Sequence, residues 1–154
     1  MLVVDDDVCL RATLADLLVH EGFAVSDASN GYTGLRLAIQ EHPRVVLLDL
    51  MLPELSGVDV LRELRGHADT REIAIIVVTG DTGRAIEAQL AGADLVIEKP
   101  FDIDDLVSAV HRAMNQSVAP AAAHVPPSIR SDHVALPRHR VRRRSVSSSR
   151  RRGA

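Results

Sequence analysis

Residues 45–57 read Val-Val-Leu-Leu-Asp-Leu-Met-Leu-Pro-Glu-Leu-Ser-Gly. The first four are apolar without interruption, so they leave no polar face and suit a strand covered on both sides. An acid, Asp49, closes the run. A second stretch, 73–78, is equally apolar and ends at Thr79. Working outward from these two, strands are expected at 2–5, 23–28, 44–49, 73–79 and 95–98. Helical patterns fill the gaps. The first carries Leu10, Leu14, Leu17 and Leu18 on one stripe and stops at Gly22; the last follows Asp102, a good N-cap, and turns Ile103, Leu106, Val107, Val110 and Met114 inward. Residues 31–40, 58–65 and 84–91 supply the other three. A βα unit repeated five times predicts an α/β fold, a doubly wound parallel sheet with helices on both faces.

With 154 residues, 46% of them hydrophobic, the chain can bury one core. No apolar run approaches the roughly 18 residues of a membrane span. The amino terminus is acidic where a secretory signal would be basic, so a cytoplasmic location is expected. The single cysteine, Cys9, excludes an internal disulfide and a cysteine-built zinc site. Charge divides the chain: residues 1–114 hold nine basic and twenty acidic residues, a net −11, whereas 115–154 hold nine and one, a net +8. The second part also has four of the seven prolines, seven serines and no aromatic residue. Such a segment buries too little to offset its chain entropy, so 1–114 is expected to be the domain and 115–154 a disordered basic tail. Phe23, Tyr32 and Phe101 are expected in the core of the domain.

In open α/β sheets the working groups gather beyond the carboxyl ends of the strands. Here those ends are Asp5, Asp6 and Asp7, then Asp49, then Thr79, and finally Lys99, the only lysine among eighteen basic residues. Asp7 is read as a cap for the helix that follows. Asp6 and Asp49, at the ends of neighbouring buried strands, would repel each other unless a cation lay between them. Mg²⁺, which prefers a few oxygen ligands and retains waters, fits best. An ionised aspartate can attack phosphorus without a general base, with Lys99 and Thr79 on the phosphoryl oxygens.

These residues carry a resemblance. Leu-Val-Val-Asp-Asp-Asp at 2–7, Leu-Leu-Asp-Leu-Met-Leu-Pro at 47–53 with Gly57, Val-Val-Thr-Gly at 77–80, and Gly-Ala-Asp at 92–94 leading to Lys-Pro-Phe at 99–101 closely resemble the receiver domain of two-component response regulators. The resemblance implies a flavodoxin-like sheet of order 2-1-3-4-5, Asp49 as phosphoacceptor, and Lys99 and Thr79 on the phosphoryl group. It also implies Mg²⁺ held by Asp6, Asp49 and the Met51 backbone carbonyl, with Asp5 acting indirectly, and a cis Lys99–Pro100 peptide. The implied function is a relay: a histidine kinase or phosphotransfer protein gives its phosphoryl group to Asp49, and the surface around helix four, strand five and helix five changes its affinity for a downstream protein. The chain is then no enzyme beyond its own phosphorylation and dephosphorylation. Three departures stand out. Val96 occupies a position where many receivers have an aromatic residue, Glu98 adds an acid beside Lys99, and the chain opens directly on its first strand, as a missed upstream start or a shortened chain would.

Other readings compete. A pseudo-receiver would keep the fold as a protein-binding module without phosphorylation. The Arg-rich tail could bind nucleic acid weakly, although it lacks aromatic interleaving and a helix-turn-helix pattern. A magnesium phosphohydrolase would need an acid or base beside Asp49, and Leu50 and Met51 offer none. His20 and His111 are read as surface residues on helices one and five.

Overall fold

The computed structural model describes residues 1–116; of the tail expected at 115–154, residues 117–154, with the expected disorder and weak nucleic-acid contacts, lie outside the described residues, and 115–116 end the last helix. Strands and helices alternate: β1 (Leu2–Val4), α1 (Val8–His20), β2 (Ser26–Ala28), α2 (Gly31–Glu41), β3 (Val45–Leu48), α3 (Gly57–Gly66), β4 (Ala74–Thr79), α4 (Thr82–Leu90), β5 (Leu95–Glu98) and α5 (Ile103–Gln116). The strands form one parallel sheet in the order β2-β1-β3-β4-β5. β1 lies between β2 and β3, with Leu2 opposite both Ser26 and Val46.

The unbroken apolar run of β3 is explained by two separate cores. Val46 and Leu48 pack on one side of the sheet with Ala38 of α2, Leu61 and Leu64 of α3 and Ala88 of α4. Val45 and Leu47 pack on the other with Leu14 and Leu18 of α1 and Leu106 and Val110 of α5. Full burial of such a side chain contributes about 1.5–3 kcal/mol. Truncating one, as in Leu47→Ala, costs about 2–5 kcal/mol because the cavity collapses only partly.

Capping side chains set the helix starts by accepting from amides that have no partner inside the helix. Asp7 accepts from Cys9 and Leu10, Asn30 from Thr33, Ser56 from Asp59 and Asp81 from Arg84. The Asp81 cap starts α4 at Thr82, two residues before the sequence pattern suggests. β2 is shorter than expected. The Phe23 amide donates to the Leu18 carbonyl and closes the end of α1, while Phe23 and Val25 pack on the α1 and α5 side without joining the sheet.

Two residues expected inside lie outside. Tyr32 is 59% exposed, because α2 turns Gly31, Gly34 and Ala38 inward instead. Ile103 is 51% exposed: it is in phase with Leu106 and Val110 but sits in the first turn of α5, beside an open cleft lined by residues 101–105.

At the amino-terminal ends of β4 and β5, Arg65 of α3 ties several segments together. Its Nε donates to Gly92 O at 2.9 Å, its Nη1 to Ile73 O at 2.8 Å and Arg71 O at 3.0 Å, and its Nη2 to Asp94 Oδ2 at 2.7 Å. Asp94 Oδ2 also accepts from the Ile75 amide at 2.6 Å. The entry to β4 and the α4–β5 loop are thereby fixed to α3. Among the described residues no helix is long and apolar enough to cross a membrane.

Candidate functional site

The carboxyl ends of β1 and β3 place two acids side by side. The Asp49 amide donates to Val4 O at 2.9 Å, and the Asp5 amide to Ala28 O at 3.1 Å. Both residues thus continue the strand hydrogen bonding one step past the ladder. Their side chains are almost wholly enclosed, Asp5 at 4% and Asp49 at 6% exposure. Asp6, the next residue on the β1–α1 loop, is exposed, and carboxylate oxygens of Asp5, Asp6 and Asp49 all lie within 4.8 Å of one another.

Among the described residues one cation faces the buried pair. Lys99, just beyond β5, places Nζ 3.0 Å from Asp5 Oδ2 and 3.0 Å from Asp49 Oδ2. The other oxygens are also engaged: the Asp7 amide donates to Asp5 Oδ1 at 2.9 Å, and the Met51 amide to Asp49 Oδ1 at 3.1 Å. Burial pushes the Asp5 carboxyl up, and the hydrogen bonds from Lys99 and Asp7 only partly oppose it, so it stays above the ordinary aspartate value. Burial pulls the Lys99 ammonium down, but the bonds to Asp49 and Asp5 outweigh it and hold the group above the ordinary lysine value. Asp7 stands below its ordinary value because the Leu10 and Cys9 amides hold its charged form. It is the cap the sequence suggested.

Among the described residues, three carboxylates against one ammonium leave a local excess of negative charge. The donors are hard oxygens, and each carboxylate oxygen offers about two lone pairs, so those in use for hydrogen bonds retain capacity. Such a set fits a hard divalent cation such as Mg²⁺.

Thr79 ends β4, fully buried. Its Oγ1 accepts from the Asp81 amide at 3.2 Å, and its carbonyl accepts from the Lys99 amide at 2.8 Å. The four acidic and basic site residues expected from sequence, Asp5, Asp6, Asp49 and Lys99, are therefore in one cluster. Thr79 is joined to it through the backbone of Lys99, with its hydroxyl committed to the start of α4. Met51 contributes its amide to Asp49, while its side chain faces outward. The Lys99–Pro100 peptide is cis. Glu98 is exposed, and Val96 packs beside the α2–α4 core.

Two supporting residues had no role in the sequence reading. Gly57 presses on the back of Asp49: a Cβ there would stand 2.0 Å from Asp49 O and 2.7 Å from Leu50 Cα. Arg11 donates through Nη1 to Asp5 O at 2.7 Å and through Nε to Asp27 Oδ2 at 2.8 Å. Gly57 stood in a quoted motif, but its backbone contact has no sequence signal. Arg11 follows Asp7 by one helical turn, the spacing that returns a side chain toward the loop before the helix.

Comparison with known proteins gives consistent matches. The profile of the response regulator receiver domain matches residues 1–111. Regulatory protein AtoC of Escherichia coli K12 is 35% identical over 126 residues, covering 81% of this chain and 27% of that protein. Transcriptional regulatory protein KdpE of Mycobacterium tuberculosis is 36% identical over 126 residues, covering 82% and 55%. Transcriptional regulatory protein SrrA of Staphylococcus aureus is 33% identical over 147 residues, covering 92% and 61%. The chain thus spans less than two thirds of each of these relatives. Among solved structures, a response regulator receiver domain from Clostridium thermocellum superposes with a TM-score of 0.69 at 35% identity, covering 75% of this chain and 93% of that one. A CheY-like receiver domain from Methanospirillum hungatei gives 0.70 at 27% identity, with the same coverage.

Proposed function

The chain belongs to the response regulator receiver domain family, and from that membership we propose that it is a phosphoacceptor whose Asp49 takes a phosphoryl group from a phosphohistidine. The observation that carries the reading is the Lys99 ammonium shared at 3.0 Å between Asp5 and Asp49. It gives Asp49 a cationic neighbour able to meet the charge of an incoming phosphoryl group. In the transfer, a bond forms between an Asp49 carboxylate oxygen and phosphorus while the phosphorus–nitrogen bond of the donor breaks, and the imidazole leaves with that electron pair. The carboxylate enters ionised, so no general base is required.

Asp6, Asp49 and the Met51 carbonyl would hold Mg²⁺ directly, and Asp5 indirectly. When bound, the ion supplies neutralisation of phosphoryl oxygens. Lys99 holds another oxygen as a point charge, and the Thr79 hydroxyl, whose oxygen accepts from the Asp81 amide, donates its hydrogen to a phosphoryl oxygen. The donor on this reading is a histidine kinase or phosphotransfer protein, the receiver of the signal is a downstream protein, and the chain catalyses only its own phosphorylation and loss of phosphate. We place the domain at 1–114.

Intact mass after incubation with an acyl phosphate and Mg²⁺ tests the proposal. Wild type should gain one phosphoryl group, and Asp49→Asn should gain none. A wild type that never gains it would favour a pseudo-receiver binding module, and equal gain in Asp49→Asn would move the acceptor elsewhere.

A further inference from the structure

The β1–α1 loop carries two of the three clustered acids, and Arg11 grips its backbone from α1. The Arg11 side chain is only 14% exposed. Nη1 donates to the Asp5 carbonyl at 2.7 Å, and Nε is anchored on Asp27 Oδ2 of β2 at 2.8 Å. The Arg11 amide also donates to the Asp7 carbonyl at 2.9 Å, so one residue meets both ends of the loop.

The carbonyl it holds belongs to the planar peptide that joins buried Asp5 to exposed Asp6. Fixing that oxygen fixes the rotation of the plane, and hence the direction in which Asp6 leaves the strand. The neighbours have side-chain anchors of their own: Asp5 is held by Lys99 and the Asp7 amide, and Asp7 by its cap on α1. Asp6 reaches the cluster from an exposed position, so its aim depends on the backbone beneath it.

We infer that Arg11 is a positioning residue for divalent-cation binding, holding the Asp5–Asp6 peptide, through its anchor on Asp27, in the orientation that turns Asp6 toward Asp5 and Asp49. The inference rests on the metal assignment proposed above. Its sign separates it from a plain charge effect. A guanidinium beside an acidic loop repels an incoming cation, so if charge alone mattered, removing Arg11 would tighten Mg²⁺ binding. Loss of an orienting partner instead weakens metal binding, by about tenfold or more for groups one step removed from the ligands.

The test is calorimetric titration of the full chain with MgCl₂ alone, without phosphodonor, alongside thermal melts in chelator. Arg11→Met, which keeps the aliphatic stem, should raise the Mg²⁺ dissociation constant about tenfold. Arg11→Lys should weaken binding too, because a single ammonium cannot reproduce the two directed bonds of the fork. Asp27→Asn should shift it in the same direction by less. Unchanged or tighter binding by a folded Arg11→Met, or wild-type affinity in Arg11→Lys, would overturn the inference. If Arg11→Met does not fold, the lysine and Asp27 variants decide. A wild type that takes up no Mg²⁺ would remove the inference together with the metal assignment, whereas phosphoryl acceptance at Asp49 is read independently by mass.

Discussion

The Lys99 ammonium lies 3.0 Å from the Asp49 carboxylate across a separation of fifty residues, and Asp5 shares it at the same distance. Lys99 is 26% exposed, while its partners are almost wholly buried. Among the described residues the pair of acids therefore depends on one cation, which retains some contact with water.

Removing that cation should destabilise the fold at neutral pH and make stability rise on acidification. Breaking a buried pair costs roughly 3–5 kcal/mol, and partial exposure of Lys99 brings the expectation for Lys99→Met to about 2 kcal/mol. Asp5 already binds its proton more tightly than the ordinary aspartate value of 3.8, and loss of Lys99 raises it further. A carboxyl raised in the folded state takes up a proton on folding, so its penalty is relieved as pH falls through the raised value toward the unfolded one. Urea unfolding in chelator at pH 7.5 and pH 5 should show the gap between variant and wild type narrowing; a gap that widens on acidification contradicts the charge balance described.

The Lys99 ammonium has the opposite dependence. Its folded value is raised above 10.5, so its contribution to stability is complete below the unfolded value and lost only as pH rises through the folded one. Wild type should lose stability above about pH 10.5 more steeply than Lys99→Met, a difference read from urea midpoints across that range.

Thr79 should carry the response to phosphorylation without an aromatic partner at position 96. Its hydroxyl oxygen accepts from the Asp81 amide, and a phosphoryl oxygen at Asp49 would accept its hydrogen, drawing the Thr79 side chain and the amide bonded to it toward the site. A fluoroberyllate adduct should change amide exchange within 79–98, beginning at Asp81, and Thr79→Val should abolish the change. Altered protection confined to α1 and α2 would count against this route.

Two glycines of α3 should respond with opposite signs. Gly57→Ala drives a methyl group into the backbone of Asp49 and Leu50 and should cost up to about 3 kcal/mol. Gly66→Ala meets nothing within 4 Å and should be neutral or stabilising by up to about 1 kcal/mol. Denaturant midpoints of both variants give the comparison, and equal effects would contradict the packing described around Gly57.

Arg65→Met should release the α4–β5 loop. It removes four donated hydrogen bonds, one of them to the Asp94 carboxylate, for a loss of about 2 kcal/mol. Chemical unfolding should show that loss, with faster exchange near Gly92 to Asp94; wild-type stability would mean that water replaces Arg65 at no cost.

The sheet was legible because its signals are local. Val45–Leu48 and the run into Thr79 declare strands with two covered faces, and each polar residue at a strand end lands where an α/β sheet collects its chemistry. The acids and Lys99 could be assigned together for that reason. What escaped depended on neighbours distant in sequence. Phe23 is apolar enough for a strand, but the Leu18 carbonyl claims its amide. Tyr32 is large and aromatic, yet α2 must approach β1 closely, and Gly34 permits that. Arg11 and Arg65 look like ordinary charges on helices until the carbonyls they hold are seen.

The bonded charges of Asp5, Asp49 and Lys99 come from positions 5, 49 and 99, while the strand that leads into the first lies between strands two and three. A ribosome therefore delivers both acids well before the group that neutralises them. In the folded chain the ammonium arrives from beyond β5, an edge strand whose residues are only partly buried. Its bonds to Asp5 and Asp49 reach past β4 to the ends of the two central strands, so the edge is held to the middle of the sheet by charge as well as by its own few apolar residues.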